Sequence, residues 1–242
     1  QERVEGVLRR LAAGPGCAAP DCRRVAAVFG TQASAKAFRE ARGRVRCQVG
    51  QKDRFRAGLI RSGAYLEEMR RILASHGLPE DLAYLPHVES SFNPEAYSKF
   101  GAAGVWQFTV STGKLYMTVD YVMDERRDPI RATYAAAQLL KDNHARLGSW
   151  PLALTAYNHG PNGMERAKRQ HGDYPAIFTS YRGPSFKFAS RNFYSEFLAA
   201  RRVAADYRAY FGDLPLHRPT PKRSLVLEGY ARGLSTRDVE EA

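Results

Sequence analysis

The chain has 242 residues and a mass of 27.1 kDa, enough to bury a full hydrophobic core; its 44% hydrophobic and 26% charged residues fit a folded globular protein and exclude the composition of a disordered one. Lys and Arg total 37 against 25 Asp and Glu, a formal net charge of +12, which points to an anionic partner without choosing between nucleic acid, lipid headgroups and acidic polysaccharide. No stretch approaches the roughly 18 apolar residues of a membrane span, and no apolar leader follows Gln1, so the chain reads as a mature or trimmed product.

The first segment, residues 1–53, mixes short helical runs with turn signals at Gly14, Pro15, Gly16, Gly30, Gly43 and Gly50, and reads as a helical N-terminal extension. It holds all three cysteines, Cys17, Cys22 and Cys47, none with a histidine at zinc-ligand spacing, so no metal site is expected. A disulfide-stapled loop with one thiol left over fits an exported protein, and three free thiols fit a cytosolic one.

Apolar residues Phe55, Leu59, Tyr65, Met69 and Leu73 predict one amphipathic helix from Arg54 to Ala74, closed by Gly77. Asp128-Pro129 is an N-cap followed by proline, and it starts an alanine-rich helix to Leu147 that Gly148 stops. Ser149-Trp150-Pro151 opens a short helix through Ala156, terminated by Gly160 and Gly163, and Asn192 to Tyr210 forms the last long helix before Gly212. No run of alternating strands is present, so the fold class is mainly α. Residues 213–242 read as a Pro-, Lys- and Arg-rich linker into a truncated segment, where Ser235-Thr236-Arg237-Asp238 resembles a capping-box start.

The informative stretch is Gly77 to Pro94. Read as a helix, it sets Leu78, Leu82, Leu85 and Glu89 at steps of four, three and four, so a carboxylate continues an apolar stripe. Desolvation there disfavours the ionised form and makes Glu89 a candidate general acid; the same spacing also fits a solvated glutamate at a frayed helix end. Three clusters follow. Gly104-Val105-Trp106-Gln107-Phe108 joins flat apolar surface to an amide, Ala156-Tyr157-Asn158-His159-Gly160 gathers a phenol, an amide and an imidazole at a glycine turn, and Ser190-Arg191-Asn192-Phe193-Tyr194 lies at the start of the last helix.

In this order and spacing, Glu89-Ser90, Gly104-Val105-Trp106-Gln107, Ala156-Tyr157-Asn158 and Arg126-Arg127-Asp128-Pro129 resemble the motifs of the family 1 lytic transglycosylases, whose domain is of the soluble-lytic-transglycosylase type, and are most like the membrane-bound lytic transglycosylase D subgroup. The resemblance covers roughly residues 76–212 and implies a lysozyme-like (goose-type) helical catalytic domain, taken here as 54–212, with no cofactor. It implies that Glu89 alone protonates the oxygen between N-acetylmuramic acid and N-acetylglucosamine and then takes the proton of the muramoyl C6 hydroxyl as a 1,6-anhydro ring closes. It also implies that Ser90 and Tyr157 position the carboxyl and the substrate, that Gln107 and Asn158 bind sugar, and that Trp106 with Phe108 walls the cleft. The fourth family motif carries a tyrosine where this chain has Phe193; either the backbone shifts so that Tyr194, one position on, serves instead, or the hydroxyl is lost at that place. The partner expected is peptidoglycan and not nucleic acid, met by a monomer in the periplasm or cell envelope, with envelope association through segments beyond the termini. A hydrolytic muramidase is the alternative activity, and a peptidoglycan-binding module without catalysis is the alternative class. Residues 90–119 contain no Asp and, of Glu, only Glu95, which favours the transglycosylase over a goose-type hydrolase.

Overall fold

The computed structural model describes residues 2–14, 17–45 and 51–220, and the chain divides into two compact units, Gln1–Lys52 and Asp53–Ala242. In the first unit α1 (Glu2–Ala13) packs against α2 (Pro20–Phe29) and α3 (Ala35–Arg42). Val7, Leu8, Cys22 and Phe38 are buried between them. A disulfide joins Cys17 to Cys22; Cys47 lies outside the described residues, as does the Ser235 capping box.

The second unit holds α4 (Lys52–Ser62), α5 (Leu66–Ser75), α6 (Pro86–Glu89), α7 (Val110–Gly113), α8 (Pro129–Leu147), α9 (Trp150–His159), α10 (Pro161–His171), α11 (Tyr174–Ser180), α12 (Phe188–Ala205) and α13 (Tyr207–Phe211). Among the described residues there are isolated bridges but no strand, so the chain is mainly α.

Around α8 pack α5, α9 and α10. The Asp128 carboxylate accepts from the amides of Ile130 and Arg131 at 2.7 and 3.0 Å, and Gly148 ends the helix at φ 74°, returning its amide to the His144 carbonyl. Between those ends Ala132, Ala135, Ala136, Leu139, Leu140, Asn143 and Leu147 recur at helical spacing and are buried. The small alanines let neighbouring helices come close, and Trp106 fills the space beside them, donating from its indole to Thr133 Oγ1 at 2.8 Å.

Four helical expectations are redrawn. The helix expected from Arg54 to Ala74 is two helices broken at Gly63, where the backbone of Leu216 and His217 crosses so closely that a Cβ on Gly63 would lie 2.6 Å from the His217 carbonyl oxygen. The segment from Gly77 is a 3-10 turn, Glu80–Tyr84, followed by α6, because Pro86 has no amide to continue the earlier turn. Gly163 does not stop a helix but lies inside α10, its Cα pressed against the His159 ring, and the last helix divides at Asp206.

Between α6 and α8 the backbone is irregular and is held by Arg126. This guanidinium is 3% exposed as a residue and donates to the carbonyls of Gly101 at 2.8 Å and Phe108 at 3.0 Å, while it forms an ion pair with Asp124 at 2.7 Å. Gly104, at φ 76°, lies so tightly against the Arg126 carbonyl that any Cβ there would collide with it. Arg126→Lys keeps the charge and loses the fork, stranding the carbonyls of Gly101 and Phe108. We expect it to cost about 2–4 kcal/mol in chemical denaturation. A loss below about 0.5 kcal/mol would show that the loop does not depend on this residue.

Candidate active site

Glu89 is the last residue of α6. The helix is short, but its placement is over-determined. Leu82 and Leu85 before it are buried at 3% and 0%, and Phe92 after it at 0%. The turn beyond the helix runs through Ser91 and Phe92 at φ 53° and 55°, left-handed conformations costing roughly 1–2 kcal/mol each for residues with a side chain. That cost is sustained by contacts on both sides. Arg61 of α4 donates twice to the Ser91 carbonyl, at 3.1 and 2.7 Å, and Gly58 lets the turn approach α4 to within a distance that a Cβ would fill.

Two further hydrogen bonds tie distant segments to this helix end. Ser90 Oγ donates to the Val105 carbonyl at 2.8 Å, and Tyr157 Oη of α9 donates to the Trp106 carbonyl, also at 2.8 Å. The motifs around Glu89, Trp106 and Tyr157 therefore meet in space, through backbone carbonyls of the 105–106 segment. Gln107 is also left-handed, at φ 50°, and its amide nitrogen donates to the carbonyls of Ala96 and Gly104 at 3.2 and 2.9 Å, which leaves its Oε1 without a hydrogen bond among the described residues. Asn158 is exposed and accepts from Ser190 of α12 at 2.8 Å.

The electrostatics follow from this enclosure. Glu89 is half-buried as a residue. Burial first, and then the negative charge of Glu196 on α12, pushes its carboxyl up to about 8. Burial and the nearby Glu89 likewise raise the Tyr157 phenol well above its usual value, so it stays a neutral donor. Behind the carboxyl, His87 is buried at 4% between the rings of Phe55, Tyr84 and Phe92, with neither ring nitrogen hydrogen-bonded. Burial and the Arg61 charge hold it down at about 3, a neutral imidazole that adds bulk and no cation.

Several sequence expectations are corrected here. Trp106 and Phe108 are buried at 0% and 2%, so neither offers a face to a sugar; Trp106 packs on α8 and Phe108 sets its ring edge-on to Tyr157, which makes both of them floor supports instead of cleft walls. Tyr194 is not brought to Tyr157. Phe193 stacks on that ring at 9° and 6.5 Å between centroids, while Tyr194, about 100° further round the helix, packs edge-on to Tyr174. Glu196 and His87 went unnoticed in the sequence: Glu196 lies beside the stripe Phe193, Phe197, Ala200 and Ala204, where only the neighbouring helix reveals what it faces. A cavity of about 420 Å³ between α10 and the end of α11, lined by Arg166, His171, Tyr181 and Arg182, contains none of the site residues. Among the described residues no three His, Cys, Asp or Glu side chains gather as metal ligands.

Residues 70–177 match the family described as the transglycosylase SLT domain. Among curated proteins, membrane-bound lytic murein transglycosylase D of Escherichia coli is 36% identical over 112 residues, covering 45% of this chain and 24% of that protein. A transglycosylase of the Enterobacteria phage PRD1 is 38% identical over 85 residues, 35% of this chain and 30% of that one. The chain thus spans about a quarter to a third of the length of these relatives. Among solved structures, an inactive mutant of the lytic transglycosylase Slt from Pseudomonas aeruginosa has a TM-score of 0.49 at 19% identity, covering 63% of this chain and 25% of that one. The region that carries Glu89, Gln107 and Tyr157, residues 70–177, is thus similar to the transglycosylase SLT domain.

Proposed function

We propose that residues 54–212 are the lysozyme-like catalytic domain of a peptidoglycan lytic transglycosylase, with Glu89 as its one general acid and base. The observation that carries this reading is the enclosure of the Glu89 carboxyl, which keeps its proton at neutral pH in a residue that is only half-buried. Such a group donates to the oxygen between N-acetylmuramic acid and N-acetylglucosamine, and the sugar leaves as a neutral alcohol. The carboxylate so formed then takes the proton of the muramoyl C6 hydroxyl as O6 attacks C1. The proton returns to Glu89, no water is consumed, and the product ends in a 1,6-anhydro ring.

Two-carboxylate glycosidases need a base for water; here the nucleophile is part of the substrate, whose acetamido group can steady charge at C1. Tyr157 and Ser90 fix the 105–107 backbone beside the acid. Gln107 Oε1 and the exposed Asn158 amide are the polar groups left to meet hydroxyls and amides of the sugars. The Cys17–Cys22 disulfide and a membrane-bound relative support a place in the periplasm or cell envelope, where such bonds persist and peptidoglycan lies.

Glu89→Gln should fold and lose about 10²–10⁴-fold in release of soluble fragments from sacculi, measured by chromatography. Near-native turnover would remove the assignment of Glu89. Mass spectrometry of native digests should find 1,6-anhydromuramoyl ends; reducing ends throughout would make the protein a hydrolase.

The raised carboxyl also fixes a stability trend. The folded state holds its proton up to about pH 8, whereas the unfolded chain releases it near the ordinary glutamate value of 4.5, so between these the unfolded state binds fewer protons and stability falls as pH rises. Below that window both states are protonated, and above it both are ionised. Glu89→Gln has no such dependence. Its stability relative to the native protein should therefore be flat in acid, grow from about pH 4.5 to 8 and then level off. The plateau should lie on the order of a few kcal/mol, reduced because the residue is only half-buried. Parallel melting curves of the two proteins across this range would reveal a carboxyl that titrates normally.

A further inference from the structure

The cavity between α10 and the end of α11 takes no part in the reaction described above. Its volume of about 420 Å³ lies in the range of small-molecule sites, roughly 300–1,000 Å³. Arg166 and Gln170, one turn apart on α10, line it with the neighbouring His171, and Ser180 and Arg182 line it from the end of α11. Tyr181 between them is buried, and the chain folds back on its phenol so tightly that a Cβ on Gly183 would lie 2.5 Å from Tyr181 Oη. Arg166, Gln170, Ser180 and Arg182 are exposed, so the cavity opens to solvent.

The lining is rich in donors and one-sided in charge. Two guanidinium groups meet there with an imidazole and an amide, and no carboxylate is among the lining residues. Among the described residues the side chains of Arg166, Gln170 and His171 make no hydrogen bond or ion pair, and Arg182 gives one nitrogen to the Tyr181 carbonyl at 3.1 Å. The nearest acids in the sequence are engaged elsewhere: Glu165 pairs with Arg146 at 2.9 Å, and Asp173 caps α11 by accepting from the Ala176 amide at 2.9 Å. One ring links the cavity to the end of α9. Tyr181 meets His171 edge-on at 5.8 Å and His159 at 6.3 Å between centroids, and His159 follows Asn158, the exposed amide left to meet the glycan.

We propose that this cavity is a carboxylate-binding pocket for the peptides borne by the peptidoglycan strand, separate from the Glu89 site. The proposal rests on the reading of the domain as a peptidoglycan enzyme. A guanidinium fork matches the two oxygens of a planar carboxylate, while Gln170 and Ser180 offer a donor and an acceptor to the amides next to it. An uncharged sugar would leave both guanidinium groups without a counter-charge, and a bare inorganic anion would leave most of the space unfilled. In this arrangement a strand held at Asn158 passes its peptide over His159 and sets a carboxylate between Arg166 and Arg182.

The test uses the dipeptide N-acetyl-L-alanyl-D-glutamate and its diamide, which lacks the carboxylates, with inorganic phosphate as a third probe. Titrated into the full chain at millimolar concentration, the dipeptide should move the imidazole proton resonances of His171, identified among the six histidines as those lost in His171→Asn. The diamide should move them little. Arg166→Gln and Arg182→Gln, both at exposed positions, should each weaken dipeptide binding by about 3–10-fold and preserve the melting temperature. The preference of the enzyme for peptide-bearing over peptide-free glycan, as a ratio of kcat/KM, should fall in both variants. The proposal is overturned if the dipeptide moves nothing, if the diamide or phosphate matches it, or if neither arginine variant weakens it. A dipeptide-specific shift that the arginine variants weaken, in a protein that releases no anhydro product, upholds the pocket and places the failure with the proposed reaction.

Discussion

A carboxylate surrounded by protein atoms gives up most of its hydration, and among the described residues no cation compensates Glu89 for that loss. The rest of the site is arranged around this uncompensated desolvation. Leu82, Leu85 and Phe92 supply the dry surroundings, the uncharged ring of His87 fills the space behind, and Tyr157 presents a phenol that resists ionisation because Glu89 is near it. A single lysine or arginine among these neighbours would pull the carboxyl back towards ordinary acidity and leave it ionised at neutral pH. The exclusion of positive charge matters as much as the presence of the acid.

Desolvation of this kind is useful only if the carboxyl cannot swing out into water, which explains the dense backbone support. The helix that bears Glu89 has four residues and little stability of its own. Its geometry is imposed from outside, by Arg61 on the turn after it, by Ser90 on the Val105 carbonyl, and by Arg126, which holds the 101–108 loop from below. The left-handed residues Ser91, Phe92 and Gln107 all lie in the segments that these bonds restrain. Strain concentrated there and nowhere else among the non-glycine described residues is what a site over-determined by its surroundings would display.

The features legible in the sequence were those written in local spacing. The step pattern Leu78, Leu82, Leu85, Glu89 pointed to an enclosed carboxyl although the segment is a 3-10 turn and a short helix and not one helix, and Asp128-Pro129 with Gly148 marked both ends of α8, because caps and apolar stripes depend on residues a few positions apart. Trp106 was misplaced for a converse reason: an aromatic beside an amide fits a sugar wall and a core equally well, and only Thr133, 27 residues away, decides that the indole turns inward. Tyr194 failed as a substitute because helical geometry points adjacent residues in different directions, so a hydroxyl moved by one position leaves the site. Glu196 was invisible for the most general reason. Its significance lies in the packing of α12 on α6, and nothing within its own helix marks it.

Electrostatics act on two scales in this chain, with opposite signs. Over the whole sequence a net charge of +12 draws anionic polymers from a distance, an attraction that salt screens within about 10 Å. At the site the balance is reversed, since the groups nearest the acid are a second carboxylate, a phenol and a neutral imidazole. The two scales do not conflict, because basic side chains on the surface are solvated and screened while Glu89 and Glu196 interact through protein of low polarisability. A basic exterior can gather an acidic substrate without neutralising the acid that acts on it, provided the arginines closest to the site are held by other partners. Arg61, Arg70, Arg191 and Arg201 are each held by partners of their own: the Ser91 carbonyl, Tyr84 Oη, the Tyr181 carbonyl and Asp81.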